Sequence, residues 1–514
     1  MKKRYLAGID IGTSGCKSII IDETGEVMGS SIAEYPLYTP QPGWAEQDPE
    51  DWWKATAESM KRAIEKSGID PNLIAGVGLS GQMHGLVALD GNNQVIRRAI
   101  LWNDQRTAKQ CQEIVDAVGG LNKLLEYTNN RMLPGYTGGK ILWFRENEPD
   151  LYEKTKIILN PKDYIRFKLT GGFATEVSDA SGTGLFNVKD RRWSYELLSI
   201  LDIPKELLPT CYESDEVTGT VTEKAAGDTG LPVDLPVVSG GGDAVIQTTG
   251  MGLIEEGILG ITIGTAGIAA MGLASFRPNP EGRLQLFCNN AKDLWHVMGV
   301  TLAAGGAYKW YRDTLCELEK MQAAERGVSV YELLDKSILT SPPGAKNLIF
   351  LPYLSGERCP HPDPAARGSF IGLNLLHNKA DLTRAVMEGV TFSLCDVFEL
   401  IKGLDENMQA KSIITSGGGA RSPVWRQIQA DIFQLPVRTV SGSAEGGAYG
   451  AALVAGVGTG VWNDLAEACG VLKTETETMP NPDLKDRYRE LFEIYKGLYP
   501  ALKASFDRLS GGAL

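Results

Sequence analysis

The sequence has no apolar run approaching the roughly 18 residues that a membrane-spanning helix needs, so a membrane partner is not expected. It also has no excess of positive charge. Its 64 Asp and Glu outweigh 51 Lys and Arg, for a formal net charge of -13. Such a surface repels nucleic acid, and a DNA or RNA partner is excluded on that ground. Cysteine is sparse, 8 in 514 residues, and no two form a Cys-x-x-Cys pair. Metal-ligand spacing is therefore missing, and reduced thiols of a cytoplasmic protein are the expectation. The basic start Met1-Lys2-Lys3-Arg4 is not followed by the apolar stretch of a signal peptide, because Asp10 and a Gly-Thr-Ser-Gly turn interrupt it. There is no low-complexity segment. Nor is there a Gly-x4-Gly-Lys-[Ser/Thr] loop, which removes one common route to phosphate binding.

What is present is a large globular chain, 43% hydrophobic and too long for one compact domain. Apolar runs such as Tyr5–Ile11, Ala75–Leu79, Lys156–Leu159 and Pro236–Val238 alternate with segments of helical period such as Pro49–Lys66 and Thr107–Val118. Strands alternating with helices indicate α/β layering. Tyr5–Ile11 and Ser18–Asp22 flank a short Gly-rich turn and predict a β-hairpin, with a third strand beginning at Glu26. The stretch Ile9-Asp10-Ile11-Gly12-Thr13-Ser14-Gly15 returns as Ile261-Thr262-Ile263-Gly264-Thr265-Ala266-Gly267, 252 residues later. Two halves opening on the same hairpin suggest two similar domains, 1–250 and 251–514. Asp10 is replaced by Thr262 in the second copy, so a metal should sit nearer the first half. The Gly-rich segment Ser239–Gly252 is the candidate hinge. The stretch from about residue 456 reads as a helical tail.

Five groups of residues could carry chemistry. In the first hairpin, Gly12 and Gly15 allow a tight turn whose exposed N–H groups suit phosphate, Thr13 and Ser14 add hydroxyls, and Lys17 could balance charge. Asp10 beside it could hold Mg²⁺ through water. The alternative is an ordinary Gly-rich hairpin. The second hairpin, with Gly264 and Thr265, repeats the arrangement, and two such turns could pinch a polyphosphate. Ser416-Gly417-Gly418-Gly419 follows a strand and leads to Ser422-Pro423, a strong helix start; it is either a close-approach site for a ring or a structural turn. Ser239-Gly240-Gly241-Gly242-Asp243 ends in a carboxylate that could serve as a general base or cap a helix starting at Ala244. Finally, Gln82, Met83 and His84 place an amide, a thioether and an imidazole on one loop. Glu445–Ala452 reads as a small-residue helix packed closely on its neighbour.

These parts together resemble the FGGY family of carbohydrate kinases over nearly the whole chain. Gly135-Tyr136-Thr137-Gly138-Gly139-Lys140-Ile141-Leu142-Trp143-Phe144-Arg145-Glu146-Asn147 fits the first family signature. The second runs from Gly368 through Ile371-Gly372-Leu373 and Asp381-Leu382 to Glu388. The resemblance implies a two-domain actin-like ATPase (ribonuclease H-like) α/β fold with a deep interdomain cleft. It implies ATP and Mg²⁺ as cofactors and transfer of the γ-phosphate to a small sugar. Three stretches, Leu79–Gly85, Ala99–Asp104 and Ser178–Thr183, are most similar to members acting on D-xylulose. The resemblance then makes Asp243 the catalytic base and Asp10 the metal residue. It puts Gln82, Met83, His84, Trp102 and Asn103 at the ketopentose. Thr13, Ser14, Lys17, Gly264, Thr265, Gly305 and Lys309 go to the phosphates, and Gly418, Gly419 and Ser422 to the nucleoside.

Two positions depart from the family pattern. Ala244 follows the catalytic Asp where an amide is usual, and Ala266 stands where Ser is common. The first removes one specificity contact, so related kinases for ribulose, gluconate or glycerol are the rival readings. An actin- or Hsp70-like ATPase and a catalytically dead sugar sensor are further rivals. The first would need a partner surface, and the intact Asp10 and Asp243 count against the second. A homodimer is a possible assembly.

Overall fold

The structure, a computed structural model, describes residues 4–511. They form two compact units. The first is built from residues up to Glu255 with Gly272–His296 and Gly442–Lys473. The second comprises Glu256–Met271, Val297–Ser441 and the chain from Thr474.

The first unit is organised by a seven-stranded mixed sheet. Its strands are β1 (Tyr5–Ile11), β2 (Gly15–Asp22), β3 (Val27–Glu34), β4 (Ile74–Gly81), β5 (Val217–Thr220), β6 (Pro236–Val238) and the short β7 (Gly241–Gly242). The order is β5-β6-β4-β1-β2-β3, with β7 pairing β4. β1 lies parallel to β4 and antiparallel to β2, and the hairpin closes at the pair Ile11–Cys16.

Strand parity decides where the chemistry goes. Successive side chains of a strand alternate between faces. Tyr5, Ala7, Ile9 and Ile11 belong to one core with Trp52, Met60, Leu79 and Val237. Leu6 joins a second core with Ile246, Ala448, Ala451 and Ala452. Gly8 and Asp10 share the face of Leu6, which is covered by the helix Gly447–Gly458. That helix lies unusually close. A Cβ on Gly8 would sit 1.9 Å from the Ala448 carbonyl oxygen, and one on Gly78 1.9 Å from that of Ala451. Glycine is required at both strand positions, and the small-residue run of the helix has its explanation. On the opposite face, helix Pro49–Ser67 starts with Pro49 after the N-cap Asp48 and ends at Gly68, whose φ is 64°.

In the second unit β8 (Ile258–Ile263), β9 (Gly267–Leu273), β10 (Ser412–Gly417), β11 (Val437–Val440) and β12 (Thr474–Thr478) run in the order β9-β8-β10-β11-β12. β8 and β9 are the repeated hairpin, and β10 lies parallel to β8 as β4 does to β1. The buried helix Lys379–Lys402 begins with a capping box of Asn378 and Asp381. It packs through Phe392 against Tyr488, Phe492 and Tyr495 of the helix Lys485–Gly511. The acids of the second signature are pins of this region. Asp381 accepts from Ser341 and pairs with Lys346, while Glu388 accepts from Tyr488 and the Gly344 amide.

The candidate hinge Ser239–Gly252 contributes β7 and the helix Asp243–Thr249, and the first long segment of the first unit ends just beyond it, at Glu255. Glycines fit there because β7 runs against β4, where a Cβ on Gly240 would lie 2.1 Å from the Leu79 carbonyl oxygen. The chain beyond 456 is not wholly helical. Thr474–Thr478 is an edge strand whose alternating Thr and Glu give it a polar face.

Candidate active site

The first hairpin ends beside a carboxylate that the fold has partly taken out of water. Oδ1 of Asp10 accepts the Ser80 hydroxyl at 2.7 Å, across the register pair Asp10–Ser80 of β1 and β4. Burial pushes the Asp10 carboxyl up, against the opposing effects of Ser80 and the charge of Lys17. Directly over it stands the N-terminus of helix Gly447–Gly458. A Cβ on Gly447 would be 3.0 Å from the Asp10 carboxyl carbon and 2.2 Å from the Ser80 hydroxyl oxygen. Lys17 pairs with Glu445 at 2.7 Å and donates to the Ala444 carbonyl at 3.1 Å.

Asp243 is the first residue of its helix and follows the N-cap Gly242. Burial and then the neighbouring charge of Asp10 raise its carboxyl to about 7, although the backbone amides of Ala244 and Met83 oppose the shift. Below it, the Gly242 amide donates to Ser178 Oγ at 3.0 Å, and Ser178 donates to Glu176 at 2.9 Å. Lys162, wholly buried, pairs with Asp163 at 2.6 Å and donates to the Ser239 carbonyl at 3.3 Å. The Ser178–Thr183 stretch therefore props up the turn that carries Asp243.

The Met83–His84 loop lies against the same turn. A Cβ on Gly242 would meet Met83 atoms at 2.7–2.9 Å, and one on Gly182 would meet Met83 and His84 at 2.6–2.7 Å. His84 adopts the left-handed backbone, φ 69°. Its Nδ1 lies 2.6 Å from the Gly182 carbonyl, which can only accept, so Nδ1 carries a proton. The ring stacks on Tyr136 at 4.5 Å. Gln82 is buried, with its Nε2 bonded to Gln47 rather than turned to the loop surface. Trp102 is 43% exposed and donates its indole N–H to the Thr13 hydroxyl at 3.0 Å. Asn103 Oδ1 has no partner among the described residues. Ser14 is exposed at the tip of the hairpin.

One participant was not singled out from the sequence. Lys140, wholly buried, donates to the carbonyls of His84 at 2.6 Å and Gly135 at 2.7 Å, and Thr137 donates to the same His84 carbonyl at 3.1 Å. Burial lowers the Lys140 pKa to about 7, with the Asp104 charge opposing. Both residues stand in the first signature, Gly135–Asn147, which was the available signal.

In the second unit the repeated hairpin packs on a helix start. The amides of Ala304 and Gly306 donate to the Thr265 carbonyl at 3.0 Å each, and that of Gly305 to the Gly264 carbonyl at 2.8 Å. Gly305 thus lies against Gly264 and Thr265, with its own amide already engaged. Its glycine is needed for close approach, since a Cβ would lie 2.5 Å from the Gly264 oxygen. Lys309 is exposed one turn further along this helix. Gly418 is exposed, and Gly419 is pressed on Ile263. Ser422 caps the helix Pro423–Phe433 by accepting from the Trp425 amide at 3.1 Å, and Asp335 shares its hydroxyl. Thr262 and Ser416 share a hydroxyl bond of 2.8 Å at the register position held by Asp10 and Ser80 in the first unit.

Comparison with known proteins identifies the two domains that carry these hairpins. Residues 5–250 match the N-terminal domain of the FGGY family of carbohydrate kinases, and residues 259–459 its C-terminal domain. The chain belongs to this family. It is 39% identical over 502 residues to the xylulose kinase of Lactococcus lactis, covering 96% of each chain. It is 37% identical over 502 residues to that of Bacillus subtilis, covering 97% of each. The ligand-bound xylulose kinase structure from Lactobacillus acidophilus superimposes with a TM-score of 0.89 at 30% identity, covering 98% of this chain and all of that one. A carbohydrate kinase of this family takes its phosphoryl group from ATP. Among the described residues, no helix is long and apolar enough to cross a membrane.

Proposed function

We propose that the protein transfers the γ-phosphate of ATP to D-xylulose, giving D-xylulose 5-phosphate, with Asp243 as the base. The observation that carries this reading is the carboxylate of Asp243, raised to about 7 and set against the Met83–His84 loop. A base with a pKa near the working pH accepts a proton readily while remaining largely ionised just above it. The O–H proton of the attacking hydroxyl passes to Asp243. The hydroxyl oxygen forms its bond to the γ-phosphorus, and the bond from that phosphorus to the β,γ-bridging oxygen breaks, releasing ADP.

His84 Nε2 bonds a sugar hydroxyl, Asn103 Oδ1 accepts another, and Met83 and Trp102 flank the carbon chain. Thr13, Ser14 and Lys17 receive the transferred phosphate in the first half, 1–250. Gly264, Thr265, Gly305 and Lys309 in the second half, 251–514, take the ATP phosphates. Gly418, Gly419 and Ser422 take the nucleoside.

A divalent cation fits this site. Asp10 and Asp243 are two desolvated carboxylates, each driven toward protonation, and Asp10 adds to the shift of Asp243. Among the described residues no group of three or more Asp, Glu, His or Cys is arranged to hold a metal ion by itself. That donor set suits Mg²⁺, which keeps its waters and takes one or two carboxylates plus substrate phosphates. Asp10 would hold it, and bound Mg²⁺ would neutralise charge on the transferring phosphoryl group.

The test is coupled ADP release with D-xylulose, D-ribulose, L-xylulose, L-ribulose, gluconate and glycerol. D-Xylulose should give the highest kcat/KM. A competitor exceeding it tenfold would reassign the substrate, and sugar-independent ATP turnover at the same rate would refute the kinase reading.

A further inference from the structure

Gln47 lies at a junction of the first unit that the roles above leave unused. It sits in a two-residue strand, Glu46–Gln47, paired with Ala99–Ile100, which leads directly to Trp102 and Asn103. Its side chain is 1% exposed. Oε1 accepts from the Gln82 amide nitrogen at 2.9 Å and from the Trp52 indole at 3.0 Å. Nε2 donates to the Thr13 carbonyl at 2.7 Å. The orientation is forced, because an indole N–H only donates and a backbone carbonyl only accepts. One buried amide therefore bonds the residue preceding Met83 and His84 on one side and the turn of the phosphate hairpin on the other. The same hairpin residue, Thr13, also accepts from Trp102. The sugar loop, the Trp102–Asn103 segment and the phosphate hairpin thus share a single rigid bracket.

We propose that Gln47 is a positioning residue that fixes the distance between the sugar hydroxyl and the transferring phosphate. The inference rests on the proposed roles of the loop and the hairpin. Gln47 itself is buried behind the hairpin and the loop and is given no contact with either substrate, so its effect should fall on alignment rather than on ligand affinity. A misplacement of about 1 Å at a reacting centre can cost on the order of 10² in rate.

The experiment measures kcat and both KM values for the full chain and for Gln47→Glu, Gln47→Met, Gln82→Met and the double variant Gln47→Met/Gln82→Met. The acceptor is whichever panel sugar gives the wild type its highest kcat/KM. An error about D-xylulose then leaves this test standing. We expect kcat to fall about 10- to 100-fold in each Gln47 variant, with both KM values within about threefold of wild type. The double variant should be no worse than Gln47→Met, because both substitutions cut one chain of bonds. Gln47→Glu, which keeps the size of the side chain, guards against a variant that fails to fold. Its carboxylate repels the Thr13 carbonyl, but its protonated form can donate to it. The ratio of its kcat to that of wild type should therefore rise as pH is lowered. A kcat within twofold of wild type in Gln47→Glu, a loss confined to KM, or a pH-independent ratio overturns the proposal.

Discussion

Ser80 donates its hydroxyl to Asp10 across the parallel pair β1–β4 at 2.7 Å. At the corresponding register of β8 and β10, Ser416 and Thr262 make the same contact at 2.8 Å. The repeat is thus a repeat of side-chain contacts as well as of backbone. Only one copy has kept a group that can bind a cation, so the two hairpins have the same scaffold and different electrostatics.

Asp10→Asn removes that group and keeps its size. It should raise the Mg²⁺ concentration for half-maximal rate severalfold or more and lower kcat. Titrating Mg²⁺ at saturating ATP and sugar checks this. An unchanged Mg²⁺ dependence would place the cation elsewhere.

Asp243→Asn should lower kcat by about 10² or more while sugar still binds, the usual scale for loss of a general base. In the wild type, kcat/KM for the sugar should fall as pH drops through about 7, because the base becomes protonated. Stability moves the other way. A carboxyl raised from 3.8 to about 7 costs nothing below its unfolded value. Its penalty grows as pH rises between the two and is constant above. Asp243→Asn should therefore be more stable than wild type at pH 8, on the order of 1–3 kcal/mol, with the gain vanishing near pH 4. Chemical denaturation at the two pH values measures the difference, and equal stabilities at pH 8 would contradict the buried charge.

Much of this site was legible in the sequence, for a physical reason. The hairpins are local: apolar runs around Gly12 and Gly264 specify them within about ten residues. The strand–glycine–helix unit at Ser412–Pro423 is local too, as is the helix cap at Ser422. What could not be read is what depends on distant chain segments. Nothing around Gly447 says that its helix lies on Asp10, more than 400 positions earlier, although the paired glycines at Gly8 and Gly78 record that approach. Gln82 reads from its place beside Met83 and His84 as a sugar contact, and nothing local says that its Nε2 is engaged by Gln47. Lys140 reads as one more charged residue of a helix, and only the folded chain shows it buried against the His84 carbonyl.

Lys140→Met tests that last contact. It keeps the apolar stem and deletes the donor, leaving the Gly135 carbonyl without this partner and the His84 carbonyl with only the weaker Thr137 bond. The left-handed backbone of His84 should then relax, and KM for the sugar should rise about tenfold with KM for ATP little changed, since a lost buried hydrogen bond is worth about 1–3 kcal/mol. Equal changes in both KM values would remove Lys140 from the sugar loop.

Gly447→Ala separates packing from electrostatics at Asp10. Gly447 does not have a positive φ and opens a helix, so alanine would by itself favour the helix by up to about 1 kcal/mol. The opposing fact is contact: the new Cβ would lie 2.2 Å from the Ser80 hydroxyl oxygen and 3.0 Å from the Asp10 carboxyl carbon. The helix is also held by the helix Asp243–Thr249, against which it packs so closely that a Cβ on Gly450 would lie 2.0 Å from the Ile246 carbonyl oxygen. Ser80 must therefore turn away, and Asp10 loses the hydroxyl that lowers its pKa. The variant should lose about 1–3 kcal/mol of stability, the usual cost of overpacking, and should need more Mg²⁺ for half-maximal rate. Adding Ser80→Ala removes the clashing oxygen. The double variant should regain stability yet keep the raised Mg²⁺ requirement, because the hydroxyl is gone in both. If stability and Mg²⁺ dependence recovered together, the clash alone would account for the effect, and Ser80 would have no part in holding the charge of Asp10.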